Sequence, residues 1–121
     1  AAFLAKGALL GGSDAAAKPE APAAGEIVPI DPMTLNLADG HYAKVGLAIE
    51  LVEGVAAKDF VAAGEPSKAK DLVISTVAPR TAADLSTQPG RDAVKAALRD
   101  GAKRLYPDQY HDVYLTDLVI Q

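Results

Sequence analysis

The sequence predicts an α+β domain in which helices pack on a small antiparallel sheet. Three observations point there: an alternating hairpin at residues 33–52, two helical stretches between residues 66 and 106, and a dense β-forming run at residues 113–121. Strands followed by helices, with one further strand at the end, give helices gathered on one side of a sheet. The order read from the residues is β-β-α-α-α-β.

Composition bounds the possibilities. A chain of 121 residues, half of them hydrophobic, has room for one domain and little more. With no Trp, four Tyr and two Phe, the core must be built from Val, Ile and Leu. A formal charge of −4 argues against nucleic-acid binding through bulk positive charge. No Cys is present, which excludes a disulfide scaffold and thiolate chemistry and leaves zinc only two His and carboxylates. The apolar start, residues 1–10, contains Lys6 and is shorter than the roughly 20 residues that span a bilayer. It reads either as the tail of a membrane helix or as a frayed Ala-rich start.

Residues 11–26 carry no apolar side chain larger than Ala, and Pro19 and Pro22 hold them extended. They read as a linker with a reach of about 45 Å, which places the folded domain at residues 27–121. Ile27-Val28-Pro29-Ile30 reads as an edge strand, because Pro cannot donate to a ladder. Asp31-Pro32 reads as a turn into a second short strand, residues 33–37. Ala38-Asp39-Gly40 is a hairpin turn, with Gly40 free to take positive φ. The return strand, residues 42–52, sets Val45, Leu47, Ile49 and Leu51 against Lys44, Gly46, Ala48 and Glu50.

The period then changes. Residues 55–63 tolerate a helix, and Gly64 interrupts them. Pro66 suits a first helical turn; Ala69, Leu72, Val73, Thr76 and Val77 form an apolar stripe, and Pro79 ends it. Thr81 and Asp84 have capping-box spacing with Asp in place of Glu, which predicts a short turn through Leu85. Pro89-Gly90 opens the longest helix, with a stripe of Val94, Ala97, Leu98, Gly101 and Leu105. In the last strand, Val113, Leu115, Asp117 and Val119 alternate with Tyr114, Thr116, Leu118 and Ile120. Both faces are substantially apolar, so the strand is expected to be covered on both sides or by a neighbouring subunit, and the chain to end in its own core.

Nothing here specifies a reaction. There is no Gly-x-Ser-x-Gly elbow and no phosphate loop. His41, beside Tyr42, and His111 stand just before strands and read as surface or interface residues. A ligand-binding or sensory module using the His41/Tyr42 end, or a metal-dependent hydrolase using both histidines, are the rival readings. Arg91, Lys95, Arg99 and Lys103 recur every four residues along the last helix. That row is either a basic ridge for an acidic partner or anionic lipid head groups, or a solvated helix face.

Several segments resemble a known family in the right order from residue 30 onward. Leu35-Asn36-Leu37-Ala38-Asp39-Gly40-His41-Tyr42, Lys70-Asp71-Leu72-Val73-Ile74, Arg80-Thr81-Ala82-Ala83-Asp84-Leu85 with Gly90-Arg91, and the closing Val113-Tyr114-Leu115-Thr116-Asp117-Leu118-Val119-Ile120-Gln121 are similar to FliL, the flagellar basal-body-associated proteins. The breaks at Gly64 and Pro66, and the stiff Tyr106-Pro107 connection, depart from the family pattern. The resemblance implies a stomatin/prohibitin-like (SPFH) domain in the periplasm, held by one N-terminal helix in the bacterial inner membrane. It further implies a non-enzymatic, ring-forming scaffold without a cofactor, associated with the MotA/MotB stator and supporting its engagement and torque.

Overall fold

Residues 23–121 are described by a computed structural model. Strands β1 (Ala24–Asn36), β2 (Tyr42–Val52) and β3 (Tyr110–Ile120) form one antiparallel sheet with β2 in the middle. Between β2 and β3 come α1 (Ala57–Ala62), α2 (Glu65–Val77), α3 (Ala82–Leu85) and α4 (Gln88–Leu105). This is the α+β layout expected, with the helix-tolerant stretch after Val55 forming the separate short helix α1. The expected tail at residues 1–10 and most of the expected linker lie outside the described residues; Ala24, Gly25 and Glu26 already belong to β1.

The hairpin fixes the frame. Gly40 has φ 87°, a left-handed conformation that side chains resist. From there Val45, Leu47, Ile49 and Leu51 all point into the core and are at most 2% exposed. Against them pack Val73 and Val77 of α2, Val94 and Leu98 of α4, and Phe60 of α1. The Phe60 ring meets Tyr106 with centroids 5.0 Å apart and planes tilted by 59°. Tyr106 also donates its hydroxyl to the Glu65 carbonyl at 2.6 Å, pinning the end of α4 to the start of α2.

Asp31-Pro32 is not a turn. Ile30 pairs with Leu47 and Met33 with Val45, so β1 is one strand with a bulge that takes up an extra residue. Edge position explains why two prolines are tolerated there: the outer N–H groups have no ladder partner to lose.

Strand β3 departs further from simple alternation. Tyr110 pairs with Leu51 and Asp112 with Glu50, which leaves His111 as an extra residue. Leu115 pairs with Leu47 and Asp117 with Gly46, which leaves Thr116 as a second. Each bulge flips the side-chain phase. The core-facing set is therefore Val113 and Leu115, then Leu118 and Ile120, opposite Ile49, Leu47, Val45 and Ala43. Val119 is 46% exposed and Tyr114 37%. The expectation of a terminus buried on both faces is corrected: β3 is an edge strand covered by helices on one face, and only Val113 of its last nine residues is fully buried. Gln121 nonetheless closes the sheet, exchanging two 2.8 Å backbone bonds with Tyr42.

The helix signals largely hold. Thr81 and Asp84 make the reciprocal capping box, each bond 3.1 Å, so the shorter carboxylate still reaches the N-cap N–H. Helix α4 starts at Gln88, one residue before the Pro89-Gly90 pair, because Thr87 caps it by accepting from the Gly90 N–H. A Cβ on Gly90 would collide with the Asp84 carbonyl, so glycine here permits α3 and α4 to meet closely. In the stripe of α4, Ala102 is buried and Leu105 is not, since the chain turns at that point and Tyr106 fills the space.

Candidate functional site

The basic row on α4 is divided by its surroundings. Arg91 turns back along the helix start, donating to the Leu85 carbonyl at 3.3 Å and to Gln88 Oε1 at 3.2 Å. Arg99 crosses to β3 and pairs with Asp112 through a 2.9 Å Nε–Oδ1 bond. Among the described residues, Lys95 and Lys103 lie within ion-pair distance of no carboxylate. Two of the four cations therefore brace the fold and two are available to a neighbour.

His41 and Tyr42 sit at the hairpin end. His41 Nδ1 lies 3.1 Å from Asp39 Oδ2, and that same carboxylate oxygen accepts from the Ala82 N–H at 3.0 Å. This backbone bond, ahead of the contacts with His41, holds the Asp39 carboxyl below its usual range. Asp39 thus fastens the hairpin turn to the first turn of α3. Tyr42 is 49% exposed.

His111 is at the other end of β2. Its Nδ1 lies 3.0 Å from Glu50 Oε1, which also accepts the Tyr114 hydroxyl at 2.7 Å. That hydrogen bond pushes the Tyr114 phenol upward. The two histidines are separated by nearly the whole of β2, roughly 30 Å at strand rise. They cannot share a metal or an active site. Among the described residues no three of His, Asp and Glu gather at metal-binding distance.

A second cluster joins α4 to β3. Burial would raise the Asp112 carboxyl, but the Val113 N–H at 2.8 Å and Arg99 outweigh it and hold it below the ordinary value. Beside it, burial and the Asp112 charge push the Tyr110 phenol up to about 12. These groups satisfy one another across α4 and β3 and read as fold-stabilising.

Two surfaces were not legible as sites in the sequence. One is the sheet face that the helices leave bare, where Ile27, Tyr42, Tyr114 and Val119 are exposed. Strict alternation placed Val119 with Val113, so this group was hidden by the bulges. The other is an open cavity of about 680 Å³ between α2 and α4, lined by Leu72, Ser75, Thr76, Pro79, Arg80, Ala97, Asp100 and Arg104. It contains no aromatic side chain.

The fold and these groups define a helix-on-sheet α+β domain in which Asp39, Glu50, Arg99 and Tyr106 bond from one element to another. The sequence model of one family, described as Flagellar basal body-associated protein FliL, matches residues 27–121. The chain belongs to the FliL family. No curated protein matches it. The family gives the chain an accessory role at the bacterial flagellar basal body, and so in motility. A basal-body protein of this kind fits the inner membrane and periplasm; no helix among the described residues is long and apolar enough to cross a membrane.

Proposed function

We propose that this protein is a non-enzymatic periplasmic scaffold that associates with the MotA/MotB stator, forms a homo-oligomeric ring, and supports stator engagement and torque. The observation that carries the reading is the family match over the whole of residues 27–121. In this reading, a single N-terminal helix anchors the chain in the inner membrane. The residues before β1 act as a spacer that sets the domain's height.

Ring closure needs a contact that repeats head to tail. Strand addition at the sheet edges is disfavoured, because β1 carries two prolines and β1 and β3 each carry two bulges. Subunit contacts then fall to side-chain surfaces, with Ile27, Tyr42, Tyr114 and Val119 on the bare sheet face as the apolar contribution. Membrane tethering raises the local concentration, so weak contacts suffice. The partner-facing residues in this reading are His41 and Tyr42 at the hairpin end, and Lys95 and Lys103 of the basic row. Arg91 and Arg99 position α4 beneath them.

The test is swimming in viscous medium, where load on the motor is high, with protein abundance measured alongside. His111→Ala should leave motility near normal and His41→Ala should lower it only in part, both at normal abundance, since His41 is one contact among several. Lys95→Glu with Lys103→Glu should impair it, because neither lysine holds the fold together. Engineered cysteine pairs on opposite faces should cross-link in membranes into ladders beyond dimer. Loss of motility from either His substitution alone, at wild-type abundance, would favour a catalytic or ligand-binding role. Dimers at every cysteine pair tried would refute the ring.

A further inference from the structure

We infer that the cavity between α2 and α4 is a binding site for a carboxylate-bearing segment of a partner protein, with Arg80 and Arg104 as its anion-recognising groups. Arg80 is held in place: its Nε donates to the Thr76 carbonyl at 3.2 Å, which leaves its terminal N–H groups free to donate. Arg104, one wall across on α4, lines both this cavity and a smaller one of about 210 Å³ that shares Leu72 and Ser75 with it. Among the described residues Arg104 makes no ion pair and no side-chain hydrogen bond, although it is flanked by Asp100 one turn earlier. Two guanidiniums in fork geometry are matched to carboxylates, and bonds of this charged kind are about twice as strong as neutral ones.

The rest of the lining argues for a polypeptide over a free anion. Leu72, Pro79 and Ala97 give an apolar strip beside the charged rim, and Ser75 and Thr76 add hydroxyls. About 680 Å³ falls within the usual range for ligand sites. A segment with an acidic residue next to an aliphatic one matches both halves of that lining. Charge complementarity favours the acidic sign, since two cations and one carboxylate line the cavity. Arg80 adjoins the hairpin turn, its carbonyl accepting from the Ala38 N–H at 2.9 Å, but no residue of the basic row and neither His41 nor Tyr42 lines the cavity, so the inference does not rest on the stator and ring reading.

The test uses the full 121-residue chain, labelled with nitrogen-15 and titrated with the blocked peptide acetyl-Ala-Glu-Leu-Asp-Ala-amide. Its uncharged counterpart, with Gln and Asn, is run in parallel. Saturable amide shifts should cluster on Ser75, Thr76, Arg80, Ala97 and Arg104 with the acidic peptide and be absent with the neutral one. Arg104→Gln should weaken binding about tenfold or more, Asp100→Asn should tighten it, and Lys58→Gln, on α1, should change nothing. Circular dichroism on each variant separates lost binding from lost folding. Equal response to both peptides, shifts centred on Lys95 and Lys103, or no saturation with a folded wild type would overturn the proposal. Because the readout is the isolated chain, such failure leaves the motility experiment above unaffected, and the reverse also holds.

Discussion

Replacing Val113 and Val119 each by Ala isolates what the bulge at Thr116 does. The two substitutions delete the same atoms from the same strand, and strict alternation puts both on one face. In the structure Val113 is 2% exposed and packed opposite Ile49, whereas Val119 is 46% exposed on the bare face opposite Lys44. Removing the two methyl carbons from Val113 forfeits roughly 1.6 kcal/mol of transfer free energy. The unfilled space adds to that, giving about 2 kcal/mol or slightly more. At Val119 about half the transfer term applies and no cavity forms, so the cost is about 0.5–1 kcal/mol, including the lower strand preference of Ala. The difference of about 1.5 kcal/mol corresponds to roughly 6–12 °C in melting temperature for a domain of this size. Urea unfolding read by circular dichroism is the assay, with unchanged slope as the check on two-state behaviour. Equal costs for the two variants, within about 0.5 kcal/mol, would mean the second bulge is absent and β3 alternates without interruption.

Three further outcomes follow from the geometry. Gly90→Ala should destabilise by about 1–3 kcal/mol in thermal unfolding, because the added Cβ presses on the Asp84 backbone and cannot be relieved by a side-chain rotation. Thr81→Ala should cost about 1 kcal/mol, and combining it with Asp84→Ala should cost less than the sum, since the two side chains form one reciprocal cap. The Asp112 carboxyl is depressed in the folded state, so its contribution is present above the ordinary value of 3.8 and disappears as pH falls through the lower folded value. Wild type should therefore lose its stability margin over Asp112→Asn across that acid window; a margin that stays constant down to pH 2 would rule out the depressed value.

The sequence by itself determined the element types, their order and most of their ends. Those signals are local. The Thr81/Asp84 spacing, Pro66 in a first turn, Gly40 in the hairpin and the alternation of residues 42–52 each depend on neighbours within a turn or a few residues, and each recurs in the structure. The family resemblance was legible for the same reason, since it rests on short segments kept in order. Tertiary pairing decided the rest. Whether Asp31-Pro32 turns or bulges depends on the register against β2, and the same register inserts His111 and Thr116 and so chooses which face of β3 meets the helices. A bulge adds one residue without changing the run of strand-forming side chains, so periodicity cannot reveal it. The two available lysines in the basic row, the bare sheet face and the Arg80/Arg104 cavity were hidden likewise, because each is defined by what a distant element does or does not cover. Arg99 and Lys103 look alike on a helical wheel; only the position of Asp112, brought alongside by β3, makes one a brace and leaves the other facing outward.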